Sequence, residues 1–320
     1  MTRHICGVDV ASRSLEARIG PDGPSRCFAN TAEGIAELAA FCRAGGVELV
    51  AMEATGGYER KAFALLWAAG LPVAVLNPRA VRCFAQSLGL LEKTDRIDAG
   101  VIAQFAAVKR AVPLVPASAE QAHLKAMVTR LRQLTQLRAA QRQQRRLVSD
   151  AAVLQGFARL LAVITEEINA LQSEITEHIA ADPLWERLNA VFRSIKGVAD
   201  RTVACLIAEL PEIGTASNKA IAKLAGLAPL AQDSGEHRGK RSIRGGRAHV
   251  RHLLFIIATV VRRHNADFSA FDQRLRAAGK AKKVVLVALA HKLLVRLNAK
   301  AREVRQQAAR QQLSATATTL

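Results

Sequence analysis

Four carboxylates in the first hundred residues have the types and spacing that metal-assisted chemistry on a phosphodiester needs. Asp9 lies inside a short apolar run, and Glu53 closes another, just before Ala54-Thr55-Gly56-Gly57. Asp95 and Asp98 stand three apart in Lys93-Thr94-Asp95-Arg96-Ile97-Asp98-Ala99. In a strand, alternation puts Asp9 on the face of the small residues Gly7 and Ala11, which leaves room for a ligand. On a helix capped by Thr94, Asp95 and Asp98 share one face. Converging carboxylates protonate or separate unless a cation offsets their repulsion, and hard divalent metals take oxygen ligands. Magnesium is the expected occupant, with manganese as a substitute. A metal pair about 4 Å apart can clamp the attacking and leaving oxygens of a phosphodiester. The plainer alternative is that Asp9 and Glu53 end strands, while the helical pair sits at the positive end of a dipole.

Elements able to position these acids are legible. Residues 5–10, 15–19 and 26–29 read as three strands, the last turn being Pro21-Asp22-Gly23-Pro24. Thr31 caps a helix with Ile35, Leu38, Ala39 and Cys42 on one face, and strand 47–52, helix 58–69 and strand 71–76 follow. This is the element order of the ribonuclease-H-like fold. If the first and fourth strands pair in parallel, Asp9 and Glu53 lie roughly 5 Å apart. Sugar kinases and actin-like ATPases share this core and place an Asp on the first strand, but they need a glycine-rich phosphate hairpin after it. Here Val10, Ala11 and Ser12 follow instead.

Pro113 and Pro116 end this α/β unit. Residues 121–148 then form a basic helix with Leu124, Val128, Leu131, Leu134 and Leu137 at helical spacing, and Arg138, Arg142 and Arg145 available to phosphates. After an interruption around Gly156, Leu161, Ile164, Ile168, Leu171 and Ile175 step by three and four, opposite an acidic face of Glu166, Glu167, Glu174 and Glu177. The pattern fits a coiled-coil seam equally with a helix buried in a bundle, folded as an antiparallel hairpin or set against a second protomer. From Pro183 the chain reads as helical, broken by a basic, glycine-rich stretch at 231–247, and the polar tail beyond Arg305 is expected to end in disorder. The expected organisation is α/β plus α: a catalytic unit over 1–118, a helical connector over 119–182 and a mainly helical domain over 183–320.

Lys and Arg number 46 against 27 Asp and Glu, a net charge of +19, and the partner such a charge implies is a polyanion, most often nucleic acid. Aromatic residues make up only 4%, so binding should run through phosphates of paired strands rather than through stacking on unpaired bases. The cysteines at 6, 27, 42, 83 and 205 form no C-x-x-C pair, as expected of reduced thiols. The longest apolar stretch, 253–261, is too short to cross a bilayer, so a soluble cytoplasmic protein with no membrane partner is expected. In the basic stretch, Ser234 precedes Gly235 and the cations Arg238, Lys240, Arg241, Arg244 and Arg247, with Arg251 one turn further on. Glycines and convergent cations suit a loop that grips a scissile phosphate. A serine before glycine is ordinarily a turn residue, and as a nucleophile it needs activation, for which Asp233 and His237 are the nearby proton acceptors.

Gly7-Val8-Asp9-Val10-Ala11, Met52-Glu53-Ala54-Thr55-Gly56-Gly57-Tyr58 and the Lys93–Ala99 motif occur in the order and spacing of the DEDD transposases of the insertion sequence 110 family, which the chain resembles. Phe84-Ala85-Gln86-Ser87, Leu224-Ala225-Gly226-Leu227-Ala228-Pro229 and Ser234-Gly235 extend the resemblance along nearly the whole chain. It implies a RuvC-like N-terminal domain, a coiled-coil connector and a C-terminal transposase domain whose nucleophile is Ser234. It also implies duplex DNA as substrate, a structured non-coding RNA that pairs with it, and a homo-oligomer formed through the coiled coil. Lys93, within the third motif, joins the nucleic-acid contacts. Ser194-Ile195-Lys196-Gly197-Val198-Ala199 resembles a helix-hairpin-helix but has Lys196 and Ala199 where proline and glycine are expected, so a plain helix-helix turn stands beside that reading. Two other functions use the same features: a resolvase-like nuclease in which water attacks, and a non-catalytic basic protein that packages nucleic acid.

Overall fold

A computed structural model describes residues 4–90 and 95–318, with side chains except at 95, 96, 237 and 312–318. The chain divides into two compact units, Met1–Ala117 and Ser118–Leu320. In the first, strands β1 (Ile5–Val10), β2 (Ser14–Ile19) and β3 (Ser25–Ala29) are followed by α1 (Ala32–Ala44), β4 (Leu49–Glu53), α2 (Glu59–Ala68), β5 (Val73–Leu76), α3 (Pro78–Ser87) and α4 (Asp95–Lys109). The sheet order is β3-β2-β1-β4-β5. β2 pairs antiparallel with β1 and β3, while β4 runs parallel to β1 and to β5. That is the ribonuclease-H-like arrangement.

The sheet is covered on both faces, and residue parity decides which side chain goes where. Cys6, Val8, Val10, Val50 and Met52 pack with the α1 stripe Ile35, Leu38, Ala39 and Cys42 and with Leu66 of α2. Ile5, Leu49, Ala51, Ala74 and Leu76 pack with Ile102, Ala103 and Ala106 of α4 and Val81 and Ala85 of α3. Each fully buried leucine here contributes about 2 kcal/mol. Thr31 caps α1 by accepting from the Gly34 N–H at 3.2 Å, as its position before an apolar stripe predicts. The cap proposed for Thr94 lies outside the described residues. Where α4 crosses β1 the contact is backbone on backbone: a Cβ at Gly7 would lie 2.0 Å from the Ala99 carbonyl oxygen.

The second unit opens with α5 (Ala119–Arg145) and α6 (Ala151–Ala181). They pair antiparallel: His123 near the start of α5 faces Glu174 near the end of α6 at 3.9 Å, and His178 contacts the Glu120 carbonyl at 3.2 Å. Helices α7 (Pro183–Arg193), α8 (Asp200–Glu209) and α9 (Asn218–Leu224) follow. A short hairpin of β6 (Asp233–Ser234) and β7 (His237–Arg238) precedes α10 (Ala248–His264), α11 (Ala266–Ala277) and α12 (Lys282–Thr318). One core runs through the unit, from Leu124 and Leu131 of α5 and Ile168 of α6 to Leu293 and Val304 of α12, so the helical hairpin shares its apolar seam with the C-terminal helices.

Two expectations are corrected here. The helix break lies at 146–150, not at Gly156, which sits inside α6; Asp150 accepts from the Val153 N–H at 2.9 Å and starts that helix. A lone glycine costs a helix about 1 kcal/mol, less than a capped, core-packed helix supplies. The tail is likewise helical as far as Thr318. Val304 is buried, Arg305 donates to the Ile213 carbonyl at 2.9 Å, and Arg187 donates to Gln311 at 2.6 Å, so tertiary contacts hold a segment whose own composition is polar. The turn at 194–199 is a helix-helix turn that buries Ile195 and Val198, and its Gly197, at φ +100°, presses against Val261 of α10.

Candidate active site and nucleic-acid face

β1 and β4 pair in parallel with Gly7 opposite Ala51 and Val8 opposite Met52, so Asp9 and Glu53 are the next residues along adjacent strands. Both have the parity of the face that α4 covers. Asp98, half-buried, lies beside Ala99, the residue that meets Gly7, at the N-terminal end of the α4 stripe packed on the sheet. Asp95 has the same helical phase one turn earlier, although its side chain lies outside the described set. Three described acids thus come from β1, β4 and α4 to one face at the C-terminal ends of parallel strands. Lys93 lies outside the described residues.

Three residues that sequence reasoning missed belong to this region. Glu16 is directly opposite Asp9 in the β1–β2 register, which makes it a further carboxylate on the same face. Like charges directly opposite are unfavourable unless something offsets them. Glu59 accepts from the N–H groups of Gly57 at 2.8 Å and Thr55 at 3.1 Å and from the Thr55 hydroxyl at 3.2 Å, closing the loop after Glu53. Burial pushes its carboxyl up, but the hydrogen bonds outweigh that and leave it below the usual carboxylate range. Asn30 donates to the Ala11 carbonyl at 3.0 Å and the Tyr58 carbonyl at 3.4 Å, tying together the chain segments that leave β1 and β4.

A donor set made only of carboxylate oxygens suits a hard divalent cation. Among the described residues, no three such groups are close enough to hold a metal as they stand.

In the second unit Ser234 is exposed and is the register partner of His237, across a two-residue loop with Gly235 at φ +54°. Asp233 is bound by Arg241 at 2.6 Å, which holds its carboxyl below the usual range and makes it a poor proton acceptor. His237 is the backbone register partner of Ser234, and its side chain lies outside the described set. Arg238, Lys240 and Arg244 are exposed. Arg247 makes a bidentate pair with Glu212, both bonds 2.6 Å, and Arg251 donates to the Gly245 carbonyl, so these two brace the loop. Gly226 and Gly246 allow the loop ends to touch: a Cβ at Gly246 would lie 2.3 Å from the Gly226 nitrogen.

Along α5 and its C-cap the basic stripe is Arg138, Arg142 and Arg146, which line one depression with Thr135 and Gln143; Arg145 is exposed but off that line. Arg201 of α8 joins it by donating to the Thr135 hydroxyl at 2.8 Å. Burial, then the neighbouring charge of Arg138, lowers the Arg201 guanidinium from its ordinary value. Such crowding of like charge is relieved by an anion. Residues 118–320 carry 33 Lys and Arg against 16 Asp and Glu, whereas residues 1–117 carry 13 against 11. Nearly all the net charge therefore belongs to the second unit.

A ribonuclease-H-like sheet with Asp9 and Glu53 at the ends of its parallel strands stands in one chain with a strongly basic helical unit, a combination suited to acting on nucleic acid. Residues 6–154 match the family model of the DEDD transposases of the IS110 type, described as Transposase, and residues 189–273 match Transposase IS116/IS110/IS902 family. The chain belongs to the IS110 family of transposases and is a DNA transposase or recombinase. Pilin gene-inverting proteins of Moraxella bovis and Moraxella lacunata are each 26% identical over 314 residues, covering 92% of this chain and 94% of the relative. An insertion element IS110 protein of 43.6 kDa from Streptomyces coelicolor is 30% identical over 141 residues, covering 43% of this chain and 34% of the relative. The RuvC structure of Thermus thermophilus aligns at 19% identity and a TM-score of 0.25, over 34% of this chain and 99% of that one. No described helix is long and apolar enough to cross a membrane.

Proposed function

We propose that this transposase cuts and rejoins duplex DNA by a divalent-cation-dependent reaction in which Ser234 is the nucleophile, on DNA paired with a structured non-coding RNA. The observation that carries the reading is the arrival of Asp9, Glu53 and Asp98 from adjacent parallel strands and a crossing helix on one sheet face. Asp9, Glu53, Asp95 and Asp98 would hold magnesium or manganese, which supplies charge neutralisation at the scissile phosphate. The Ser234 oxygen displaces one deoxyribose oxygen at phosphorus, and the serine proton passes by way of His237 to that departing oxygen, which leaves as a hydroxyl. In rejoining, the deoxyribose hydroxyl of another strand attacks the same phosphorus and gives up its proton by the same route to the departing serine. Relatives named for inverting a gene favour this cycle over hydrolysis by water, because inversion requires every cut end to be joined again. The RNA enters the reading through the family, and the basic second unit suits the phosphates of either duplex. Exposed Leu137, Leu147, Val153, Leu160 and Val163, toward the tip of the α5–α6 hairpin where its connecting turn lies, support contact with a second copy of the chain.

The test compares Asp9→Asn, Asp98→Asn and Ser234→Ala proteins for strand exchange and for a DNA adduct that survives denaturant. The two acid variants are expected to lose exchange by at least about a hundredfold while keeping the fold. Ser234→Ala is expected to bind DNA normally and form no adduct, while Ser242→Ala retains it. Normal cutting and joining by Ser234→Ala would assign the attack to water or a DNA hydroxyl, and undiminished exchange in EDTA would overturn the cation.

A further inference from the structure

At the foot of the Ser234 hairpin, between α11 and α12, lies an open groove of about 770 Å³. We propose that it holds one unpaired nucleotide, the base against its apolar wall and the phosphate on its basic rim. Val284, Val287, Ala288 and Val295 of α12 form the wall with Phe271 of α11, and Val284 is 55% exposed. The volume falls within the ~300–1,000 Å³ of small-molecule sites. Phe271 holds two cations over its ring, the Arg274 guanidinium carbon 5.1 Å from the centroid and the Lys292 ammonium 4.4 Å. The ring thus fixes positive charge beside the valine and alanine wall, so that a base can lie on the aliphatic surface while its phosphate meets a counter-charge.

Charge selects this occupant. Arg241, Arg274, Lys283, Lys292 and Arg296 line the groove, and no lining residue is acidic. Asp233 and Asp267, outside the lining, offset Arg241 at 2.6 Å and Arg296 at 2.8 Å, and Arg274, Lys283 and Lys292, outside those two ion pairs, keep the rim positive. A paired base is already stacked and has no face to give to the wall, so the nucleotide must be unpaired, as bases beside an opened cut are. The bridge between Leu230 and Ser242 closes the hairpin directly above the groove, four residues from Ser234. The position of the nucleotide next to the cut rests on the Ser234 reading; capture of the base does not.

Binding of the full-length protein to three labelled strands of about ten units tests this: oligothymidine, oligouridine and an abasic deoxyribose-phosphate chain. Base-bearing strands should bind roughly tenfold tighter than the abasic chain, from burial of one base against the apolar wall. Ala288→Trp, which fills the wall, and Val284→Glu, at an exposed position that tolerates change, should each abolish that preference, whereas Ser234→Ala should keep it. Equal preference for thymidine and uridine makes the occupant any unpaired base, and preference for uridine alone makes it RNA; both sustain the proposal. Equal binding of base-bearing and abasic strands overturns it. So does a preference that survives both groove variants, or variants that disturb only self-association.

Discussion

Glu59 holds the loop after Glu53 in shape through a charge that acid removes. Its carboxylate accepts three hydrogen bonds and has its pKa lowered in the folded protein. A lowered carboxylate pKa contributes stability that is present above the unfolded value and is lost as pH falls through the folded value. Glu59→Gln should therefore cost roughly 0.5–1 kcal/mol at neutral pH, toward the lower end because water screens a half-buried group. The gap from wild type should shrink as pH drops below about 4.5, and urea midpoints measured across that range check it; a gap that does not change with pH would show that the charge contributes nothing. Asp9 and Glu53 were legible because a carboxylate inside or ending an apolar run is itself a signal. Glu16, Glu59 and Asn30 were not, since their roles depend on hairpin register and loop closure, which no local pattern encodes.

Helix α5 shows how a stripe differs from a list of arginines. Arg138, Arg142 and Arg146 are spaced by four and line one depression, while Arg145 points off it. Reversing the charge of these three should lower the log–log salt slope of DNA affinity by about 2 to 3, one phosphate contact per arginine. Arg145→Glu alone should lower it by less than Arg146→Glu. Titrations at several salt concentrations decide, and an equal effect of the two single changes would place phosphates all around the helix. The sequence pattern located this helix and its charge, and the structure adds Arg146 to the line of Arg138 and Arg142, because composition counts charges and phase orders them. Thr31 and the apolar stripe it precedes were readable for the opposite reason, that cap and periodicity are local. The helical break near Gly156 and the expected disorder of the tail were misread because Asp150, Val304 and Arg187 act through partners distant in sequence or through a cap stronger than one glycine.

At the scale of the molecule, chemistry and grip are divided between units. Residues 1–117 bring the acids and are near neutrality, whereas residues 118–320 have their own core and 33 basic against 16 acidic residues. A fragment spanning 118–320 should keep most of the salt-dependent affinity for duplex DNA, and a fragment spanning 1–117 should bind at least about tenfold more weakly at moderate salt. Fluorescence anisotropy on the two fragments measures this. Comparable affinities would mean that the sheet unit holds DNA by means other than net charge.

The division also fixes what a ribosome releases first. Domains fold as units from the N-terminus during synthesis. The acids on β1, β4 and α4 are therefore assembled once α4 has emerged, before the segment with almost all the net positive charge, and the hairpin bearing Ser234, have folded. A nascent or prematurely terminated chain thus lacks the basic unit and the group proposed to attack, and translation itself delays when a chain can first act on DNA.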